Sequence, residues 1–132
     1  MTEAELKEYI NIKRERDQLR DMLDEIEATL YHPKIQHMTG MPSNISDGNR
    51  QEDLIVKHID LQDRYKAKIE ELAARQLVVE KAIDALRPPH RMLLRYRYID
   101  GLTWEQVSEK MHYSLRNVHR MRKEAVLMLE SA

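Results

Sequence analysis

The residues best suited to chemistry in this 132-residue chain lie between Leu102 and Lys123, in the run LTWEQVSEKMHYSLRNVHRMRK. Leu115, Arg116, Asn117, His119, Arg120, Arg122 and Lys123 share one short helical pattern, whose other side carries Val118, Met121, Ala125 and Leu129. Guanidinium, imidazole and carboxamide groups spaced this way offer hydrogen bonds to base edges and phosphate oxygens rather than bond-breaking chemistry. A helix apolar on one side and cationic on the other suits the major groove of double-stranded DNA. Ser114 stands where an N-cap belongs. Upstream, Thr103 and Gln106 form a capping box in front of Trp104, Val107 and Met111, which repeat at i, i+3 and i+7. The connection His112-Tyr113-Ser114 between the two patterns predicts a helix-turn-helix.

The elements before it must hold that pair in place. Arg87-Pro88-Pro89 stops or bends any preceding helix. His90 to Tyr98 then reads as a short helix with Met92, Leu93, Tyr96 and Ile99 facing a core, closed by Asp100-Gly101. Trp104 is expected in that core rather than as a stacking platform for bases. Further upstream, residues 3–31 form an amphipathic helix with a seam of Tyr9, Ile12, Arg16, Leu19, Leu23, Ile26 and Leu30. Residues 50–86 form a longer one with Ile55, His58, Gln62, Tyr65, Ile69, Leu72, Gln76, Val79, Ile83 and Leu86 along its seam. Residues 32–49, with Pro33, Gly40, Pro42 and Gly48, read as the connection between them. Its Ile35, Met38, Met41 and Ile45 could dock on a seam or a partner, and its His32 and His37 have no Cys or carboxylate pair beside them to make a metal site. The fold class is therefore all-α, with a helical hairpin or coiled-coil arm at 1–86 and a helix-turn-helix domain of three to four helices at 87–132.

Composition supports this division. Three Gly, four Pro, no Phe and 34% charged residues favour long helices over sheet. The absence of Cys excludes disulfides and cysteine-rich zinc sites. No apolar run approaches the roughly 18 residues that span a membrane. The start MTEAELKEYI also lacks the pattern of a secretory leader, so a soluble cytoplasmic protein, away from membranes, is expected. The net charge of −1 conceals an asymmetry. Residues 87–132 hold nine Lys/Arg against five Asp/Glu, a net of +4, and residues 1–86 carry a net of −5. A basic module on an acidic arm fits a nucleic-acid-binding head on a body not itself drawn to phosphate.

The run LRYRYIDGLTWEQVSEKMHYSLRNVHRMRKEAVLML resembles region 4 of the sigma-70 class, the helix-turn-helix that reads the −35 promoter element. The wider layout is an acidic helical N-terminus, a Met-Thr-Gly-Met-Pro-Ser loop and a long helix running into the module. It resembles phage and prophage regulators of the ArpU/RinA late-activator type. The resemblance implies that Arg116, His119 and Arg120, with Ser114, Leu115, Asn117 and Lys123 beside them, face the groove, and that Arg95, Arg97 and Arg122 contact phosphates. Leu115 replaces the Arg usual at that position, so the target need not be the −35 consensus. No phosphate loop, paired metal ligands or nucleophile motif is present, so no enzyme activity and no cofactor is expected. With only Tyr9, Tyr31 and Tyr65 as aromatic residues before residue 87, the chain also lacks the aromatic-rich region with which a complete sigma factor melts DNA. The expected function is sequence-specific regulation of transcription by a homo-oligomer, a dimer in the first instance, with RNA polymerase as a further contact. The competing expectation is a helical adaptor for polymerase or phage packaging, akin to a small terminase subunit, that binds DNA weakly.

Overall fold

A computed structural model describes the backbone of residues 1–31 and 46–131, and the side chains of 1–31 and 50–131. The expected connection falls mainly on residues 32–45, so His32, Ile35, His37, Met38, Met41 and Ile45 lie outside the described residues. All described secondary structure is helical. The helices are α1 (Glu3–Tyr31), α2 (Ser46–Asp84), α3 (Pro88–Leu94), which runs on into a single wide π turn (Arg95–Ile99), α4 (Trp104–Met111) and α5 (Leu115–Ser131). None of them is long and apolar enough to cross a membrane. Contacts divide the chain into two compact units, Met1–Lys13 with Glu71–Ala132, and Arg14–Glu70.

The first unit is built around one apolar cluster. Leu93, Leu94 and Tyr98 meet Val107 of α4 and Val118, Met121, Ala125 and Leu129 of α5. The end of α2 adds Leu72, Val79 and Ile83, Leu86 just beyond it joins them, and the first turns of α1 add Leu6, Tyr9 and Ile12. Nothing local in the sequence marks the N-terminal turns as part of this core. They join it because Leu6 and Tyr9 are large apolar side chains one helical turn apart, and a seven-residue α3 with an eight-residue α4 leaves apolar surface to cover. The pairing Glu8–Arg75, at 3.3 Å, borders the same contact.

Two register expectations change. In α3 the buried residues are Leu93 and Leu94, whereas Met92 is 45% exposed. An uninterrupted run such as Met92-Leu93-Leu94 has no periodicity of its own, so packing decides which residue turns outward. Tyr96 and Ile99 pack at the margin of the core, and Tyr98 enters it. The π turn explains the shift: Asp100 N–H reaches back to Arg95 O at 2.9 Å and Leu102 N–H to Tyr96 O at 3.0 Å. Lys13 then donates to the carbonyls of Tyr98 and Ile99 at 3.0 and 2.6 Å, satisfying acceptors that the end of a helix leaves open. Gly101, at φ +74°, makes the exit that a side chain would strain.

In the second unit, Leu19, Leu23 and Ile26 of α1 pack on Leu61 of α2, with Leu30 and Tyr65 alongside. The pairs Glu15–Lys68 (2.7 Å) and Glu27–His58 (3.1 Å) show the two segments antiparallel. The α1 seam follows the expected residues, with Arg16 half-buried on it. The α2 seam follows in part, at His58, Tyr65, Leu72, Gln76, Val79, Ile83 and Leu86, but Leu61 occupies the place expected of Gln62, while Ile55 and Ile69 are 46% and 41% exposed. Burying a Gln amide without partners costs more than exposing it, so the neighbouring leucine takes the inner position. The consequence is a second, outward stripe on α2.

Leu6→Ala is expected to destabilise the protein by about 2–5 kcal/mol in denaturant unfolding, as a core leucine should. Exposed Lys7→Ala is expected to change it little. Equal effects of the two would remove the N-terminal turns from the core.

Candidate nucleic-acid interface

Local chemistry sets both helices of the pair. Gln106 N–H donates to Thr103 Oγ1 at 3.2 Å and Thr103 N–H to Gln106 Oε1 at 2.9 Å, a reciprocal capping box that starts α4. His112 ends α4 in the left-handed region at φ 59°. The Ser108 hydroxyl donates to Tyr113 O and closes the turn. Ser114 Oγ then accepts from Asn117 N–H at 3.1 Å and starts α5. The turn is thus pinned at both ends by side chains, which fixes where α5 begins.

Along α5, Val118, Met121, Ala125 and Leu129 are buried. At 3.6 residues per turn, Arg116, Arg120 and Lys123 fall within about 60° of one another on the opposite side. All three are exposed, and Leu115, 37% exposed, flanks them at the first turn. Ser114 is exposed as well but is spent on the cap. Asn117 is half-buried and holds Arg120, accepting from its Nη2 at 2.6 Å and its Nε at 3.2 Å. Arg120 Nη1 also reaches Glu124 Oε1 at 3.1 Å. Glu124 in turn accepts from His90 Nε2 of α3 at 2.9 Å. That hydrogen bond, with the nearby Arg120 charge, holds the Glu124 carboxyl below the ordinary carboxylate range.

The remaining candidates have partners inside the unit. Arg97 lies 5.1 Å from the Trp104 ring centroid and donates to Leu102 O at 2.9 Å. Arg122 lies 5.5 Å from the same ring and pairs with Glu3 of α1 at 2.6 Å. His119 packs at 6.1 Å from Trp104 and Tyr98 meets it edge-on at 6.4 Å. Arg95 bridges to Asp84 at 3.2 Å and Glu80 at 3.8 Å on α2. The structure therefore brings Leu115, Arg116, Arg120 and Lys123 together on one open face, and engages Arg95, Arg97, His119 and Arg122 in contacts that hold the unit together. Trp104 is half-buried against the core with two guanidinium groups beside it, a hub rather than a wholly interior residue.

Sequence reasoning did not single out Glu3, Lys13, His90 or Glu124. Only Glu124 left a local signal, its i+4 spacing from Arg120. Glu3 matters because two cations share one indole, and its carboxylate offsets their repulsion. The hydrogen bond from Arg122 dominates its titration and lowers its pKa from 4.5. Burial pushes the Tyr98 hydroxyl up, and the Glu3 charge adds to the effect.

Residues 76–129 match the family model described as Sigma-70, region 4. This part of the chain folds as a helix-turn-helix similar to sigma-70 region 4. The match opens inside α2 and takes in α3, the π turn, α4 and nearly all of α5. No curated protein matches the chain, and no solved structure does.

Because folding lowers the Glu3 pKa, its pairing with Arg122 stabilises the fold above the unfolded value of 4.5 and is lost as pH falls through the lower folded value. Glu3→Gln is therefore expected to reduce the fall in melting temperature between about pH 5 and pH 3, while lowering stability at neutral pH. Parallel melting curves at both ends of that range for the variant and the wild type would show Glu3 to be no part of the acid response.

Proposed function

We propose that the protein is a sequence-specific DNA-binding transcriptional regulator, of the phage or prophage late-gene activator kind, that inserts α5 into the major groove. One observation carries this reading above the others: Arg116, Arg120 and Lys123 form the outward row of a capped helix whose opposite side is the core. The residue types at the start of the row suit base reading, since Arg takes guanine edges and the exposed Leu115 can meet a thymine methyl group. The match of residues 76–129 to sigma-70 region 4 supports the groove-binding mode, and the layout upstream supports the phage-activator kind. Arg95, Arg97 and Arg122 have a positioning part in this reading, because intramolecular partners already claim their charges.

The arm supports a homodimer. On α2, Ile55, Ile59, Gln62, Lys66 and Ile69 follow one another at steps of four and three and are all exposed. Ile55 and Ile69 stand seven residues to either side of Gln62. An antiparallel second copy centred on Gln62 therefore sets Ile55 of one chain against Ile69 of the other. An exposed helix face with isoleucines set symmetrically about its centre suits the isologous contact of a two-fold dimer. Two heads held on one arm multiply a weak single-head affinity by effective concentration.

Arg116→Ala is expected to cost about 1–3 kcal/mol at one base pair of a selected duplex and to relax the preference there. Unchanged affinity and unchanged preference would remove α5 from the DNA contact. Ile59→Glu is expected to halve the mass seen by light scattering and to weaken binding to a two-site duplex without changing binding to one half-site. A wild-type protein that is monomeric at tens of micromolar by the same measurement would exclude the dimer.

A further inference from the structure

The donors of the Arg120 guanidinium are only partly taken up within the protein. A guanidinium carries five N–H groups. Here Nε and Nη2 each give one to Asn117 Oδ1, and Nη1 gives one to Glu124 Oε1. One N–H is left on each terminal nitrogen. Such a pair forks onto O6 and N7 of guanine in the major groove. The side chain is 66% exposed, so the remaining edge is open to a base. Its orientation is set from beneath, on two sides.

Glu124 is itself anchored. Its second oxygen, Oε2, accepts from His90 Nε2 at 2.9 Å, and the His90 side chain is only 13% exposed. A carboxylate oxygen can only accept, so the imidazole is the donor. His90 Nδ1 is buried with no hydrogen-bond partner among the described residues, which leaves the Glu124 contact as the ring's polar tie. Since His90 belongs to α3, the chain His90–Glu124–Arg120 fixes a recognition side chain to a second helix rather than to its own alone. Arg116 and Lys123, on the same outward face, have no such support among the described residues.

We propose that Glu124, anchored by His90 and acting with Asn117, is a positioning residue that holds the Arg120 guanidinium as a preset fork for a guanine base edge. The proposal rests on the reading that α5 enters the groove. It also accounts for a carboxylate beside a phosphate-seeking face, where a negative charge with no other role would only oppose DNA. This opposition sets the two possibilities apart. If Glu124 is merely a surface charge, its removal strengthens binding to every sequence alike. If it positions Arg120, its removal lowers discrimination at one base pair and leaves the others unchanged.

The test uses the full chain and duplexes that the wild-type protein selects from a randomised pool, followed by a panel of single-base-pair substitutions at fixed salt. Arg120→Ala identifies the pair that Arg120 reads. Glu124→Ala is expected to cut discrimination at that same pair about tenfold. In the double variant the loss should be no greater than in Arg120→Ala. Glu124→Gln, which keeps an Oε1 acceptor for Nη1, is expected to recover most of the discrimination. Melting curves confirm that each variant is folded, and Glu124→Gln alone carries the comparison if the alanine variant is not. Full discrimination in Glu124→Ala at the pair lost in Arg120→Ala would overturn the proposal, as would a loss spread evenly over all pairs or additive losses in the double variant. If the wild-type protein selects no preferred sequence, the DNA reading fails and takes this proposal with it. A selected sequence indifferent to Glu124 overturns the proposal alone.

Discussion

Burial of one side of α5 is the constraint on which the rest of the C-terminal unit depends. Val118, Met121, Ala125 and Leu129 are at most 5% exposed. Each of the larger apolar side chains among them gains about 1.5–3 kcal/mol from leaving water. A rotation of α5 by one residue, about 100°, would lift part of this row out and press arginines toward the core. No surface ion pair, worth about 0–1 kcal/mol, could compensate. The face that meets solvent is therefore decided by the face that does not. The capping box of Thr103 and Gln106 and the Ser114 cap add the axial position, since each states where a helix begins.

Given that rotation, the unit's cations divide into two groups by geometry. Arg97 and Arg122 fall beside Trp104, and Arg95 falls beside the end of α2. An indole face attracts a guanidinium by roughly 0.5–1 kcal/mol at a partly exposed site. Two guanidinium groups at one ring repel, so the arrangement requires Glu3, brought in by α1. The N-terminal turns thus contribute both apolar cover, through Leu6 and Tyr9, and charge balance, while Lys13 satisfies the carbonyls that the π turn leaves open. What remains outward is the smaller group of Arg116, Arg120 and Lys123. A simple count of arginines in this stretch overstates the cationic surface, because three of the five after residue 94, Arg95, Arg97 and Arg122, are structural ties.

The helices of the C-terminal unit were legible in the sequence wherever a local rule was strict. Thr103 with Gln106, Ser114, Gly101 and the prolines at 88 and 89 mark helix ends by chemistry confined to a few residues, and the structure shows the capping contacts and the positive φ of Gly101. Periodicity served equally well for α5 and for the α1 seam. It failed where two apolar residues adjoin, as in Met92-Leu93-Leu94, and where a heptad could be traced through either Leu61 or Gln62. In the first case the deciding term is the shape of the partner surface, which no single helix encodes; in the second it is the cost of burying the Gln62 amide. Contacts between distant segments, such as Glu3 with Arg122 or His90 with Glu124, left no mark at all, since neither residue type nor spacing ties 3 to 122.

The division of cations also bears on how a chain with net charge −1 would favour DNA in the role proposed for it. At physiological salt the Debye length is about 8 Å, so a carboxylate farther than that from the phosphates has little influence. The charges that count are those on the exposed side of α5, and there Arg116, Arg120 and Lys123 outnumber Glu124 and Glu130. Such a face supplies few phosphate contacts, which limits the nonspecific, salt-sensitive part of affinity. Binding must then lean on base edges, and base reading demands orientation more than charge. A flexible arginine loses side-chain entropy when it docks; one already held by a carboxamide and a carboxylate has lost much of it in the free protein. A short helix with a small charge surplus therefore discriminates best when its recognition side chains are fixed before the DNA arrives.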